Sequence, residues 1–257
     1  MGKLICGNSA EVLQTLEDGI IDLTVTSPPY DSLRDYNKYE FDFEAIATQL
    51  LRVTKDGGVV VWVVGDAVVN GSETGSSFRQ AIYFLDIGFK LHDTMIYEKN
   101  GTSFPARRDG NRYSQIFEYM FVFSKGKPKT HNLIADKPNR WAGHSTFGVP
   151  SIRNKDGTLT KAKGKVKIAD VSVRNNIWRY NTGKGYSTKD IIDHPAIFPE
   201  ELAKDHIVTW SNPGDLVLDP FSGSGTTAKM AKILERDYIG IDISQEYVEL
   251  ARKRIGE

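Results

Sequence analysis

A run of six aliphatic and aromatic residues, Val59–Val64, most constrains how this chain can fold. A strand that is apolar on both faces must be covered on both sides, as in the central strands of parallel sheets flanked by helices. The run is far shorter than the ~20 apolar residues that a membrane-spanning helix needs. It therefore predicts a fully buried strand.

Segments with the features of strands and helices alternate along most of the chain. Short apolar stretches that end at turn residues indicate strands, and apolar residues three and four positions apart indicate helices. This alternation predicts an α/β fold with a doubly wound, mainly parallel sheet. The predicted strands are Ile20–Thr26, Val59–Val64, Leu91–Tyr97, Ile116–Phe123, Leu216–Asp219 and Tyr238–Ile243, and the predicted helices are Ser9–Leu16, Phe43–Val53, Phe78–Leu85, Pro199–Thr209, Thr226–Glu235 and Gln245–Ile255.

Residues 125–189 interrupt this pattern. They are rich in Lys, Asn, Gly and Ser, and their apolar periodicity fades. Such a composition is typical of loops, so the segment is predicted to be an inserted, loop-rich region. A length of 257 residues fits one large domain, residues 1–124 and 190–257, that carries this insertion.

The charges of the chain are balanced in total but segregated in sequence. The 33 basic residues equal the 33 acidic ones, yet residues 99–190 contain 19 basic and six acidic residues. That segment therefore carries a net charge of +13 and the remainder −13. Such asymmetry predicts a polyanionic partner for the basic segment, and a solvated lysine-rich surface is the alternative interpretation.

A glycine-rich turn, DPFSGSGTT at residues 219–227, follows a predicted strand and opens a predicted helix. Glycines in this position let a ligand approach the backbone, and a helix N-terminus offers N–H groups to an anion. The motif lacks the lysine of a P-loop and the three-glycine spacing of a dinucleotide site. About 20 residues later a second strand ends at Asp242, which suits a ribose diol. Together these features predict a nucleoside-type cofactor.

A second motif, Thr26-Ser27-Pro28-Pro29-Tyr30, lies at the end of another predicted strand. Two adjacent prolines fix the backbone and remove two N–H donors, which leaves carbonyl groups free to accept. A serine hydroxyl and a tyrosine ring complete a set that suits an amino group on a flat, stacking ring. A rigid Pro-Pro turn beside a packed tyrosine is the structural alternative.

The remaining composition excludes several classes of protein. A single cysteine, Cys6, excludes an internal disulfide and a thiolate-rich metal cluster, so no metal site is predicted. The first residues lack the layout of a signal peptide. The sequence therefore predicts a soluble cytoplasmic protein with no membrane segment.

Taken together, the two motifs resemble those of S-adenosylmethionine-dependent DNA methyltransferases that modify the exocyclic amine of adenine (N6) or cytosine (N4). The catalytic motif precedes the cofactor motif and the basic insertion separates them, an order that is similar to the permuted β group. The resemblance covers nearly the whole chain outside the insertion. One departure is Phe117-Glu118, where the family often has His-Glu, so no catalytic role is assigned there.

The resemblance implies a Rossmann-like methyltransferase fold with permuted motif order, in which residues 125–189 recognise the DNA target. Ser27, Pro28, Pro29 and Tyr30 would then form the catalytic site around a flipped base, with Tyr30 stacked on it. The implied cofactor-binding residues are Asp219, Phe221, Gly223, Ser224, Gly225, Thr226, Asp242, Asn8, Ala196 and Phe198. The predicted DNA contacts are Lys161, Lys163, Lys165 and Lys167 to phosphates, and Arg107, Arg108 and Arg112 in groove or intrastrand contacts.

The implied reaction is direct transfer of a methyl group from S-adenosylmethionine to an exocyclic amine of double-stranded DNA. Methylation of a cytosine ring carbon is excluded, because Cys6 lies between Ile5 and Gly7 and not beside a proline. In the family, serine before Pro-Pro-Tyr is associated with cytosine N4 and aspartate with adenine N6. Ser27 therefore narrowly favours cytosine and leaves adenine open.

Two more remote alternatives are methylation of RNA or of a protein glutamine, and an inactive DNA-binding regulator. The motif order argues against the first, and the intact motifs argue against the second. The family also suggests a bacterial, archaeal or phage origin, a homodimer, and a cognate restriction endonuclease as a partner.

Overall fold

The computed structural model of the chain describes residues 2–29, 41–101, 112–181 and 199–257. Within it the chain divides into two compact units. The main unit comprises residues 1–132 and 176–257, and the second unit comprises residues 133–175. The predicted insertion, 125–189, extends beyond the second unit because residues 125–132 and the strand at 177–180 belong to the main unit.

The secondary structure of the described residues follows the predicted alternation closely. The helices are α1 (Ser9–Gln14), α2 (Phe43–Val53), α3 (Ser76–Asp86), α4 (Glu200–Trp210), α5 (Thr226–Ile233) and α6 (Gln245–Ile255). The strands are β1 (Gly2–Cys6), β2 (Ile21–Thr26), β3 (Thr54–Val64), β4 (Val68–Val69), β5 (Ser72–Glu73), β6 (Lys90–Lys99), β7 (Phe117–Ser124), β8 (Lys137–Pro138), β9 (Ser151–Arg153), β10 (Leu159–Lys161), β11 (Val171–Ser172), β12 (Ile177–Tyr180), β13 (Leu216–Asp219) and β14 (Asp237–Asp242).

Eight of the described strands form one sheet in the main unit, in the order β1-β14-β13-β2-β3-β7-β6-β12. Every neighbouring pair is parallel except those of β7, which runs antiparallel to β3 and β6. The predicted α/β fold with a mainly parallel sheet is therefore confirmed.

The apolar run Val59–Val64 forms the central part of the sheet, within β3. All six side chains of Val59–Val64 are at most 1% exposed. Trp62 packs edge-on against Phe84 of α3 with 5.2 Å between ring centroids, and its buried N–H donates to Gln80 Oε1 at 2.9 Å. Leu50 of α2 is fully buried in the same cluster. The helices that pack on this strand remove its apolar surface from water, which stabilises the sheet.

Two edge strands and one bulge were not predicted. β1 and β12 are short and lie at the two edges of the sheet, where exposed residues interrupt the apolar pattern. Residues Asp56–Gly58 have a composition typical of turns, yet they lie within β3. The register between β2 and β3 shifts there, and Gly57 adopts a φ of 82°. A turn signal in the sequence thus forms an irregularity inside a strand, as bulges commonly do.

The second unit is built on a two-stranded antiparallel ribbon. β9 pairs with β10, and the pairing continues beyond them through the Ala162 N–H to the Pro150 carbonyl, 2.8 Å, and the Ile168 N–H to the His144 carbonyl, also 2.8 Å. Residues 154–158 form the turn that joins the two sides. Part of the insertion that was predicted only as loop is therefore paired into short strands, β9 with β10 and β8 with β11.

Candidate active site

The two sequence motifs meet at the point where the strand order of the sheet reverses. The chain proceeds from β13 to β14 on one side and from β2 to β3 on the other, and β13 and β2 are parallel neighbours. In open α/β sheets, ligands bind in the crevice beyond the carboxyl ends of such a strand pair. Asp219 ends β13 and Thr26 ends β2, so the motifs begin at this crevice.

A direct hydrogen bond links the motifs. The Thr26 hydroxyl donates to Asp219 Oδ1 at 2.6 Å, although 193 residues separate the two. On either side, the Thr227 hydroxyl donates to the Val25 carbonyl at 3.2 Å and the Ser9 hydroxyl donates to the Pro220 carbonyl at 2.5 Å. The glycine-rich turn is therefore held against the end of β2 by Thr26 and Thr227 and against the start of α1 by Ser9.

The glycines of the turn are required by backbone geometry and by packing. Gly223 and Gly225 have φ angles of 48° and 77°, which favour glycine. A Cβ atom on Gly225 would lie 2.6 Å from the Cβ of Ala251 on α6. A side chain at position 225 would therefore collide with helix α6, whereas the sequence analysis expected it to obstruct a bound ligand.

The backbone N–H groups of this turn are already used by the protein. Gly223 donates to Asp242 Oδ2 at 2.8 Å, and Phe221 donates to Asp219 Oδ1 at 3.1 Å. Ser222 donates to the Ile241 carbonyl at 2.8 Å, and Gly225 to the Ser222 carbonyl at 2.7 Å. These four N–H groups are therefore directed at protein acceptors, whereas a phosphate-binding loop would aim such groups at the ligand.

The electrostatics of the site are set by two neighbouring carboxyl groups. Burial raises the pKa of Asp219 to about 6, and hydrogen bonds from Thr26 and Phe221 offset part of that effect. Burial also raises the pKa of Asp242, and the negative charge of Asp242 adds to the rise at Asp219. A positively charged ligand would favour the ionised form of both carboxyl groups and lower their pKa values.

Asp242 is oriented by backbone donors on both of its oxygens. Oδ2 accepts from Gly223 at 2.8 Å, and Oδ1 accepts from Ser244 at 2.9 Å. A carboxylate offers about four acceptor positions, so two remain after these bonds. The side chain is half-buried and can present those positions to two hydroxyl groups of one ligand.

Comparisons with known proteins agree with this geometry. The N6/N4 methyltransferase family, described as DNA methylase, matches residues 21–253. The orphan methyltransferase M.BamHII of Bacillus amyloliquefaciens is 58% identical over 244 residues, which are 94% of this chain and 91% of that protein. The chain belongs to the N6/N4 DNA methylase family.

More distant relatives support the same assignment and the fold. The type II methyltransferase M.SmaI of Serratia marcescens is 28% identical, with 98% of this chain and 90% of that protein covered. The structure of PvuII DNA methyltransferase (cytosine-N4-specific) superposes with a TM-score of 0.74 at 23% identity, covering 98% of this chain and 86% of that one. The M1.HpyAVI–SAM complex gives a TM-score of 0.66 at 24% identity, covering 100% of each chain. The predicted family resemblance and enzyme class are thereby confirmed.

In this methylase the catalytic motif continues directly from the hydrogen-bonded Thr26. Ser27 and Pro29 are half-buried and Pro28 is buried. Tyr30, Ala196 and Phe198 lie outside the described residues, as do Arg107 and Arg108. The roles assigned to all of these residues from the sequence stay predictions.

Several predicted cofactor residues also have structural partners in the methylase fold. The Asn8 side chain caps α1 by accepting from the Ala10 N–H at 2.9 Å, and Phe221 packs edge-on against Phe41 with 5.4 Å between centroids. The Ser224 hydroxyl accepts from Arg254 at 2.8 Å, and the Thr226 hydroxyl accepts from the same guanidinium at 3.3 Å. The last two residues therefore hold the shape of the turn, and their contact with a cofactor stays a prediction.

The predicted DNA-contacting residues fall in two places. Lys161, Lys163, Lys165 and Lys167 are all exposed in the second unit. Arg112 belongs to the main unit, where its guanidinium donates to the Gly71 carbonyl and lies 3.7 Å from Glu73. Arg112 thus has a partner in the hairpin of β4 and β5, and its role in the groove stays a prediction.

Sequence reasoning missed Arg254, which lies in the last turn of α6. Its side chain is only 4% exposed, and it donates to the Ser224 carbonyl at 2.5 Å and to Glu200 Oε1 at 2.7 Å. Basic residues in the last turn of a helix are common because they favour its dipole. The local sequence therefore gives no signal that separates Arg254 from its exposed neighbours.

Among the described residues, no helix is both long and apolar enough to cross a membrane. The same residues contain no group of three or more His, Cys, Asp or Glu side chains that could hold a metal ion.

Proposed function

We propose that this DNA methylase transfers the methyl group of S-adenosylmethionine to the exocyclic amino group of a flipped base in double-stranded DNA, with cytosine N4 favoured over adenine N6. The observation that carries the proposal is the Thr26–Asp219 hydrogen bond, which joins the serine-proline motif to the acidic, glycine-rich turn at one crevice. A base held by one motif and a cofactor held by the other would lie next to each other.

The donor set of the turn supports a cofactor of this kind. S-adenosylmethionine has no phosphate group, and four backbone N–H groups of the turn are engaged within the protein. It carries positive charge, which suits the buried Asp219 and its neighbour Asp242. It also has a ribose diol, which suits the two remaining acceptor positions of Asp242. Asp219, Asp242 and the turn between Phe221 and Gly225 would therefore hold it.

The catalytic motif supplies acceptors for the amine. The Ser27 hydroxyl and the Pro28 carbonyl can each accept one N–H of an exocyclic amino group. Those bonds orient the group and draw its lone pair out of the ring, which combines positioning with electrostatic stabilisation. Bound beside them, S-adenosylmethionine supplies an electrophilic methyl group. The flipped base costs a few kcal/mol to extrude from the duplex, and stacking on an aromatic ring such as Tyr30 returns about 1–3 kcal/mol.

Two observations favour cytosine N4. Ser27 stands where the family associates serine with cytosine and aspartate with adenine. The PvuII enzyme, named as cytosine-N4-specific, shares the fold over 98% of this chain. Both serine and aspartate can accept an N–H bond, so adenine N6 is the second candidate. A homodimer and a partner restriction endonuclease stay predictions.

Mass spectrometry of DNA nucleosides tests the proposal. DNA from cells that express the chain should contain N4-methylcytosine, and single-molecule sequencing of the same DNA should locate it at one recurrent site. N6-methyladenine without N4-methylcytosine would overturn the choice of base. Methyl transfer to RNA or protein alone, measured with tritiated cofactor, would overturn the choice of DNA, and transfer to none of these substrates would indicate a regulator.

A matched pair of variants on β14 shows that the methylation comes from this site. Asp242→Asn, at the carboxyl end of the strand, should lower methyl transfer at least tenfold because it weakens the proposed ribose contact. Asp237→Asn, at the opposite end of the same strand, makes the same chemical change away from the crevice and should leave methylation close to wild type.

A further inference from the structure

The ribbon of the second unit presents one continuous face. Ser145 lies opposite Lys167, Ser151 opposite Lys161, and Arg153 opposite Leu159. Five residues lie between the first two of these pairs on each side, and each side bends there, at 147–148 and at 163–164. Directly opposed residues of a ribbon share a face. We use the name lysine face for these opposed residues together with the exposed residues at alternate positions between them, which gives Ser145, Phe147, Val149, Ser151, Arg153, Leu159, Lys161, Lys163, Lys165 and Lys167.

The lysine face is the more exposed of the two. All ten of its residues are exposed, whereas the opposite face is mixed, with Thr146, Pro150, Ala162, Gly164 and Ile168 half-buried and Gly148, Ile152, Thr160 and Val166 exposed. The lysine face has five basic residues and no acidic one. The four lysines alternate with small or apolar residues along 161–167, and all four are exposed.

An aromatic side chain stands within this basic surface. Phe147 is 90% exposed, which is unusual for a large apolar side chain because about 25 cal/mol is lost for each Å² left in water. Its ring is supported edge-on by Trp141, with 6.2 Å between centroids, and the Arg140 guanidinium lies 5.5 Å from the Trp141 ring. Phe147 therefore lies beside a second aromatic ring, and that ring carries a guanidinium group on its face.

We propose that Phe147 stacks on a base of the bound DNA while the lysines of the same face contact its phosphates. This inference rests on the proposed function, and it adds an aromatic base contact to a surface that the sequence assigned only to phosphate contacts. The grooves of an intact duplex expose only base edges, but extrusion of the target base leaves its partner unpaired and its neighbours with an exposed face. An aromatic ring flanked by cations can stack on such a face while the cations attract the backbone.

Charge complementarity selects DNA over a second copy of the chain as the occupant. Five positive charges on one face would repel the same face of another copy, whereas DNA carries one negative charge per ~1.7 Å of helix axis. The second unit as a whole has nine basic and three acidic residues, so its neighbouring surface adds to the attraction.

Tryptophan fluorescence reports directly on this face. The chain has four tryptophans, of which Trp62, Trp178 and Trp210 are at most 8% exposed and Trp141 is 48% exposed. Acrylamide quenching therefore monitors Trp141, beside Phe147. A saturating concentration of duplex DNA that contains the site of methylation should protect this tryptophan from quenching by acrylamide. Equal quenching with and without DNA would overturn the proposal.

Equilibrium binding to that duplex tests Phe147 itself. Phe147→Ala should weaken binding about 5- to 100-fold, the usual effect of removing an aromatic–base stack, without changing its salt dependence. Phe147→Trp should retain the affinity, because it keeps a flat ring, and Phe147→Leu should not. Ile152→Ala is the matched control, since Ile152 is an exposed apolar residue on the opposite face and should bind DNA as wild type does.

The outcomes separate this inference from the proposed function. If the wild type methylates DNA but Phe147→Ala binds it as tightly, the stacking contact is wrong and the proposed function stands. If the wild type methylates no DNA, the proposed function is wrong. If Phe147→Ala abolishes a dimer seen by sedimentation while DNA affinity stays unchanged, a second copy is the occupant and the proposal is overturned.

Discussion

The residue on which the site depends most is Asp219, whose carboxylate is buried at the junction of the two motifs. Ionising a buried carboxyl costs free energy, which is why its pKa rises to about 6. The raised value also has a consequence for folding. Since the usual pKa is lower, this group lowers the free energy of unfolding as the pH rises from about 4 through 6. A positively charged ligand offsets that cost.

The pH dependence of cofactor binding follows from this residue. Above pH 6 Asp219 is ionised and attracts the positive charge of S-adenosylmethionine, whereas below it the proton removes that attraction. We expect the dissociation constant, measured by calorimetry, to rise about tenfold for each unit of pH below 6. Binding near pH 6 should also release a proton, which calorimetry in buffers of different ionisation enthalpy detects.

Asp219→Asn is the control for this prediction. The amide keeps an oxygen that can accept from Thr26, but it cannot titrate. Its affinity for the cofactor should be weak and nearly constant between pH 5 and 7, apart from the smaller effect of Asp242. A variant that keeps the steep pH dependence would show that another group is responsible.

The identities of the site residues could be predicted from the sequence, but their contacts could not. Ser27, Asp219 and Asp242 each follow a recognisable strand, and parallel strands bring their carboxyl ends to one edge. Nothing in the local sequence shows that Thr26 donates to Asp219 across 193 residues, because that contact depends on the strand order. The same reason explains why the internal use of the turn's N–H groups was missed.

Among the elements, the clearest dependence is that of the glycine-rich turn on α6. Arg254 reaches from the last turn of α6 to the Ser224 carbonyl and hydroxyl, and its other nitrogen reaches Glu200 at the start of α4. Lys229 of α5 also binds Glu200, at 2.7 Å. Three helices therefore share one partly buried charge network that fixes the turn.

Removing Arg254 should loosen the turn without touching the base site. Arg254→Met should destabilise the fold by about 2 kcal/mol, since buried hydrogen bonds to a charged group are each worth about 1.5–3 kcal/mol. The KM for S-adenosylmethionine should rise several-fold while kcat changes little. Thermal unfolding and steady-state methylation measure the two effects. Lys253→Met, at the exposed neighbouring residue, should change neither stability nor KM. If Arg254→Met lowered kcat by as large a factor as it raised KM, the positioning role would be contradicted.

Element boundaries could be predicted where the apolar residues of the pattern form a buried face in the structure. The predicted bounds of α2, β13 and α6 coincide with the structure, because each has capping or turn residues at its ends and a buried face. β1 and β12 were not predicted, since edge strands are paired on one side only and their sequences are half exposed. In the second unit, pairing between exposed residues leaves no apolar periodicity to read.

At the scale of the whole molecule, the two units differ in charge as well as in structure. The second unit contains nine basic and three acidic residues, although the chain as a whole is neutral. Attraction to DNA depends on the local density of positive charge and on the phosphates that it neutralises, and much less on the net charge of the protein. The neutral total is therefore compatible with a strong, salt-dependent attachment through the ribbon.

Salt dependence tests this division between the units. Affinity for DNA falls as the salt concentration rises. Replacing Lys161, Lys163, Lys165 and Lys167 with glutamine should make this dependence less steep, by up to about 0.9 in the slope of log affinity against log salt for each phosphate that is no longer neutralised. Replacing Lys3, Lys90, Lys204 and Lys253, exposed lysines of the main unit, changes the net charge by the same amount and should leave the slope nearly unchanged. Fluorescence anisotropy with labelled duplex over a range of salt concentrations measures both slopes. Equal slopes for the two quadruple variants would mean that DNA responds to total charge, and that the lysine face is a solvated surface.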